Sequence, residues 1–220
     1  MIRIAIDGPS GSGKSTLAKA VARELGIVYV DTGALYRTVG YFVYINGKDP
    51  HNADDVIALL PSINIELKYE GGSQRVILNG EDLGDKIRMP EMSMYASLVS
   101  SIPAVRQFLL EMQKSMAKEN SVVMDGRDIG TVIMPDADIK IFLTASDECR
   151  AKRRTLELVQ KGVDVSYEDV LADMIQRDKN DKNRDIAPAI PADDAIIFDN
   201  SDMTVEESVS KIVRLANERK

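Results

Sequence analysis

The chain has 220 residues, 44% hydrophobic and 29% charged, which is the profile of a folded globular protein. Its 28 Lys and Arg against 35 Asp and Glu leave a formal net charge of −7, which argues against a general nucleic-acid binder, since such a protein needs a basic surface. A single Cys (Cys149) and a single His (His51) exclude a disulfide scaffold and a Cys/His zinc site.

His51 lies in a polar stretch and reads as a surface residue; Cys149 reads as a small buried hydrophobe. No apolar run reaches about 18 residues, so no membrane span is expected, and the N-terminus lacks the pattern of a signal peptide. The expected address is the cytoplasm. No long apolar stripe is left over, so a monomer is expected.

Residues 2–7 (IRIAID) are a β-branched run that reads as a buried strand. After a Gly-rich turn, residues 14–25 place Leu17, Val21 and Leu25 on one helix face, with Gly26 as the stop. Residues 27–31 (IVYVD) read as a second strand and 34–45 as a second helix ended by Asn46-Gly47. This βαβα opening predicts a parallel sheet with helices on both faces.

The middle differs. Ile63, Ile65, Leu67 and Tyr69 alternate with polar residues, Gly71-Gly72 breaks the run, and 75–79 (RVILN) follows: an antiparallel hairpin with one wet face. An inserted subdomain over 59–98 is therefore expected, between core segments 1–58 and 99–220. Pro90 and Pro103 each read as the first residue of a helix. In the second of these, Val105, Phe108, Leu109, Met112 and Met116 form a core stripe. Regular α/β structure then returns, with strands at 121–125 and 138–143 and helices at 146–160 and 166–183 joined by 161–165. A fifth parallel strand at 195–199 and an amphipathic helix from Val205 complete the chain.

Gly8, Pro9, Ser10, Gly11, Ser12, Gly13, Lys14 and Ser15 fit G-x-x-x-x-G-K-[ST], set between a hydrophobic strand and an amphipathic helix. Glycines let the loop curl so that backbone N–H groups face phosphate oxygens, and the helix N-terminus adds partial positive charge. Lys14 can reach the β- and γ-phosphates, and the Ser15 hydroxyl can ligate Mg²⁺. The pattern implies a nucleoside triphosphate with Mg²⁺ and leaves the acceptor open.

The second signal is arginine placement. Arg37 and Arg127 follow the carboxyl ends of strands, where open α/β sheets bind ligands. Arg153 and Arg154 lie on the first late helix. Arg177, Asp181 and Arg184, spaced i, i+4, i+7, share a face of the second. Arg150, Arg214 and Arg219 read as ordinary surface arginines. Asp125, closing a strand, could hold Mg²⁺ through water or cap a helix.

The stretches IDGPSGSGKST (6–16), DTGALYR (31–37), DGRDIGTVIMPDADIKIFL (125–143) and RDKNDKNRDIAP (177–188) resemble those of the bacterial cytidylate kinases, P-loop nucleoside monophosphate kinases. The resemblance covers essentially the whole chain. It implies an α/β fold: a five-stranded parallel P-loop kinase core with helices on both faces, an inserted small antiparallel β subdomain and a short lid at about 150–166. It implies γ-phosphoryl transfer from MgATP, the co-substrate, to CMP or dCMP. Some family members carry Gly where this chain has Ser15; Thr16 offers a second hydroxyl.

Carried over by position, the resemblance puts Thr32 near the nucleotide and Arg37 and Arg127 on the acceptor phosphate. Ser97, Arg106 and Asp128 would read the base. Arg177 and Asp181 would contact the sugar and Arg184 the acceptor phosphate. Arg153 and Arg154 would meet the donor phosphates. Asp128 can accept from the cytosine amino group and Arg106 can donate to its ring acceptors, a pairing that uracil would leave unmet. Three other readings remain at this level: a P-loop kinase for another small acceptor, a GTP-dependent switch and a nucleotide sensor. The absence of an Asn-Lys dipeptide weighs against the switch.

Overall fold

The computed structural model describes residues 1–70, 73–160 and 162–219. The predicted break at Gly71-Gly72 and residue Lys161 of the predicted helix junction lie outside the described residues. By contact density the chain forms two compact units: Met1–Val28 with Asn120–Lys220, and Tyr29–Glu119.

The first unit is built on parallel strands β1 (Arg3–Asp7), β6 (Val122–Gly126), β7 (Ile139–Thr144) and β8 (Ile196–Asp199). With β2 (Val28–Asp31), which straddles the division, they form a five-stranded sheet in the order β2-β6-β1-β7-β8. The register sets Ile4 beside Val123 and Ile139, and Ile141 beside Ile196. Ile4, Ile6, Val122, Val123, Met124 and Leu143 are wholly or almost wholly buried, which is why these strands read as continuous apolar runs rather than alternating ones.

Helix α1 (Lys14–Leu25) follows β1 through the Gly-rich turn and ends at Gly26, whose left-handed backbone (φ 67°) bonds its N–H to the last turn. The C-terminal helix α8 (Val205–Glu218) starts from a capping box in which the Thr204 hydroxyl accepts from the Glu207 N–H while the Glu207 carboxylate accepts from the Thr204 N–H. Helices α6 (Asp147–Gln160) and α7 (Tyr167–Asn183) form a hairpin around Ala151, Val170 and Met174. A short π-helical turn at Ile129–Ile133, which has no periodic signature in the sequence, follows β6.

The second unit holds the antiparallel sheet β3 (Ile65–Glu70), β4 (Ser73–Leu78) and β5 (Glu81–Asp82). Ile65 pairs with Leu78 and Leu67 with Val76, so one face joins a core with Val39, Val43 and Leu109. The third strand has only two residues, too few for a pattern. Around the sheet lie α2 (Thr32–Ile45), α3 (Ala53–Leu59), α4 (Met92–Ser100) and α5 (Pro103–Glu119).

Pro103 opens α5 as expected, with Val105 and Leu109 fully buried and Phe108 and Met112 packed on the same core. Pro90 does not open α4: the helix begins at Met92 behind Glu91, leaving Pro90 just outside. Helix α3 is missing from the sequence reading because its seven residues carry one buried side chain, Val56; its start is fixed by Asn52, whose side chain accepts from the Asp54 and Asp55 N–H groups.

Candidate active site

The loop after β1 needs glycine at the first motif position, Gly8, and also at Gly11, which the motif leaves open. At Gly8 (φ +146°) a Cβ would collide with the Leu143 carbonyl oxygen, and at Gly11 (φ +70°) it would come within 2.6 Å of Met174 Cε. Lys14 is almost fully buried. Its ammonium donates to the Pro9 carbonyl at 2.6 Å and lies 3.5 Å from Ser12 Oγ. Burial and then the charge of Arg127 hold its pKa well below the usual lysine range, against the opposing pull of Asp125. Anionic phosphates are the partners that would restore that charge. The Ser12 hydroxyl donates to Pro9 and the Ser12 carbonyl accepts from Asn200 Nδ2, so the loop is braced from within and from the turn after β8.

Ser15 and Asp125, on separate segments, meet directly: Ser15 Oγ donates to Asp125 Oδ2 at 2.8 Å. The register that pairs Asp125 with Ile6 brings the carboxylate to the loop. A hydroxyl beside a carboxylate fits Mg²⁺, which takes oxygen ligands, needs few of them from protein and leaves the rest to phosphate and water. No group of three or more His, Cys, Asp or Glu able to hold a metal occurs among the described residues. Thr16 is exposed on the first turn of α1.

An arginine–carboxylate cluster stands where β6 ends and α7 stops. Arg127 Nε donates to Asp181 Oδ2 at 2.9 Å. Arg184 lies 3.8 Å from Asp128 and 4.0 Å from Asp181, and its Nε donates to the Ala187 carbonyl. Burial pushes the Asp181 carboxyl up, but Arg127, Arg177 and Arg184 together hold it below the usual range, so it stays anionic. Helix α7 ends at Asn183 with Arg184 as its extended C-cap residue, and the Arg184 guanidinium still lies on the side of Asp181, three residues back. Arg177 reaches Ser10 Oγ at 3.4 Å. Arg153 donates to the side chain and carbonyl of Asn200, and Arg154 pairs with Glu157.

Two residues here escaped the sequence reading. Arg150, taken for a surface arginine, is 4% exposed and bonds to Ser10, Ala145, Asp147 and Asp178. Nothing in a polar helical stretch marks which arginine turns inward. Asp7 ends β1 with Oδ1 accepting from Ile129 N–H (2.8 Å) and Oδ2 from Gly130 N–H (2.7 Å), so it fixes the turn directly after Asp128. Burial pushes its carboxyl up to about 7 against those two hydrogen bonds, with the Asp128 charge adding to the rise.

The second unit carries its own anion-ready group. Asp31 caps α2 through the Ala34 N–H and holds Arg37 at 2.7 Å. Gln74 on β4 clasps the Asp31 backbone, accepting its N–H at 2.9 Å and donating to its carbonyl. Arg37 Nε is buried with no hydrogen-bond partner among the described residues, a donor that an anion would satisfy. Thr32 is buried at the start of α2. Ser97 is half-buried on α4, and Arg106 is buried on α5 with its guanidinium 5.5 Å from the Tyr36 ring centroid and donating to the Ser100 carbonyl.

Comparison with known proteins agrees with this layout. Solved structures at 16% identity share the fold: an uncharacterised protein from Eubacterium ventriosum (TM-score 0.53, 99% of each chain covered) and shikimate kinase from Bacteroides thetaiotaomicron (TM-score 0.50, 98% of each). Among curated proteins, cytidylate kinase of Caldicellulosiruptor bescii is 50% identical over 97% of this chain and 95% of its own. Cytidylate kinase of Fervidobacterium nodosum is 50% identical over 99% and 97%, and that of Bacillus cereus 44% over 98% and 96%. With residues 4–218 matched by the cytidylate kinase family model, the chain belongs to the cytidylate kinase family.

Proposed function

We propose that this protein transfers the γ-phosphoryl group of MgATP to CMP or dCMP, giving ADP and CDP or dCDP. The observation that carries the reading is the meeting of Ser15 with Asp125 at a phosphate loop whose first glycine, Gly8, admits no side chain, in a chain of this family.

On the donor side, Lys14 and the loop N–H groups hold the β- and γ-phosphates. Ser15 and Asp125 would hold Mg²⁺, which supplies neutralisation of the phosphate oxygens. On the acceptor side, Arg37 and Arg127 take the phosphate. Asp181, kept anionic, accepts from the sugar hydroxyls beside Arg177. Ser97, Arg106 and Asp128 read the base. A phosphate oxygen is already a nucleophile, so no general base is required, and Arg127, Arg153 and Arg184 neutralise the migrating group. The lid at 150–166 and the insert at 59–98 exclude water from the core formed by 1–58 and 99–220. The enzyme works as a monomer in the cytoplasm, where its nucleotides are.

ADP release from MgATP, with CMP, dCMP, UMP, AMP and GMP offered singly, tests the reading. Fast release with CMP and dCMP alone is expected. Acceptor-independent rates, from folded protein that binds ATP, would overturn it. Asp128→Ala should lower kcat/KM for CMP by about 100-fold or more while changing the weak UMP rate far less, because only cytosine loses a hydrogen-bond partner.

A further inference from the structure

Ser10 of the phosphate loop is held on three sides by the α6–α7 hairpin. Its N–H donates to Asp178 Oδ1 at 3.0 Å, its carbonyl accepts from Arg150 Nη1 at 2.6 Å, and its hydroxyl lies 3.4 Å from Arg177 Nη1. Arg150 is fully engaged elsewhere too: Nη1 meets Asp178 Oδ2, Nη2 meets Asp147, and Nε donates to the Ala145 carbonyl. A guanidinium committed to four partners does not swing out to a substrate. The next loop residue, Gly11, lies so close to Arg150 and Met174 that a Cβ would fall 3.3 Å from the former and 2.6 Å from the latter. The loop is therefore shaped from outside as well as by its own glycines.

We propose that Asp178 and Arg150 are positioning residues that set the shape of the phosphate loop through Ser10. They touch neither substrate. Asp178 commits the Ser10 N–H, so that the loop's curl, and with it the aim of the Gly11 to Ser15 N–H groups, is fixed before the donor arrives. Arg150 locks the Asp178 carboxylate and the Ser10 carbonyl with one fork. The neighbouring residue on α7, Arg177, belongs to the acceptor side of the proposed function, so one rigid helix carries both the donor-loop clamp and an acceptor contact. The inference rests on the donor reading of the loop.

The test is steady-state kinetics with MgATP and CMP varied separately, together with CMP binding measured without ATP and a thermal melt, on Asp178→Ala and Asp178→Asn. Asp178→Ala should raise KM for MgATP and lower kcat, each by about tenfold, as a misplaced loop does, with the CMP dissociation constant within about twofold of the parent. Asp178→Asn keeps an oxygen for the Ser10 N–H and should recover part of the loss. Unchanged MgATP kinetics in a folded Asp178→Ala protein would overturn the proposal. So would a rise in the CMP constant equal to that for MgATP, the mark of a merely structural role. If the Ala variant does not fold, the Asn variant decides by the same split at smaller size. Lys14→Ala in parallel separates the two readings: undiminished ATP binding there strikes the donor reading itself, whatever Asp178 does.

Discussion

Asp7 ends β1 with both carboxyl oxygens committed, one to the Ile129 N–H and one to the Gly130 N–H. Two such bonds favour the anion, yet full burial outweighs them and the carboxyl titrates near 7 instead of near 3.8. A group protonated in the folded state and ionised in the unfolded one contributes stability that is complete below about pH 4 and is lost as pH rises through 7. The slope is at most about 1.4 kcal/mol per pH unit. Asp7→Asn should be less stable at acid pH, since an amide offers one oxygen to two donors, but its stability should not fall over this window. Urea midpoints of both proteins at pH 4.5, 5.5, 6.5 and 7.5 should therefore converge with rising pH; parallel curves would show that Asp7 titrates normally. At this scale the sequence reveals the residues whose type and spacing carry the chemistry, such as Lys14, Ser15 and the arginines. It hides Asp7, Arg150 and Gln74, whose importance comes from burial and from partners far along the chain. Arg150 has neighbours, Arg153 and Arg154, that look the same in a string of letters.

Elements longer than two helical turns, or with several buried positions in period, were readable: α1, α5, α6, α7, α8 and the parallel strands fall within a residue or two of where periodicity puts them. The short pieces were not, because α3, β5 and the turn at Ile129–Ile133 each bury too little to imprint a period. Packing between elements is likewise silent in sequence, and Gly40 shows why. It sits mid-helix in α2, where glycine is poor, and Gly→Ala should by propensity add about 1 kcal/mol. A Cβ there, however, would lie 2.8 Å from Tyr95 Cβ and 3.2 Å from the Ala96 backbone nitrogen on α4. Backbone does not yield as a flexible side chain does, and such overpacking costs about 1–3 kcal/mol. The clash should win, leaving Gly40→Ala less stable by up to about 2 kcal/mol in urea denaturation. A variant as stable as the parent would mean that α2 and α4 can separate without cost.

For the whole chain, composition alone separates this protein from basic nucleic-acid binders and from stapled scaffolds, and the βαβα opening announces the parallel sheet. The division of contacts at Val28/Tyr29 and Glu119/Asn120 was not legible, because no change of composition marks it; the antiparallel insert read at 59–98 is only the middle of the second unit. That division has a consequence for ligand binding. A ligand raises the cost of any opening that destroys its site by RT ln(1 + [L]/Kd), about 2.7 kcal/mol at a hundredfold excess over Kd. Openings that leave the site intact gain nothing. The phosphate loop, Asp125 and the α6–α7 clamp all belong to the first unit, whereas β3, β4 and β5 belong to the second. Saturating MgATP, with no acceptor present, should therefore slow amide exchange by up to about 100-fold in the loop at Gly11–Ser15 and in the α7 turn around Asp178. Exchange in Ile65–Asp82 should change by less than about threefold. Equal protection of both regions would show that the two units open only together, and that contact density divides what cooperativity joins.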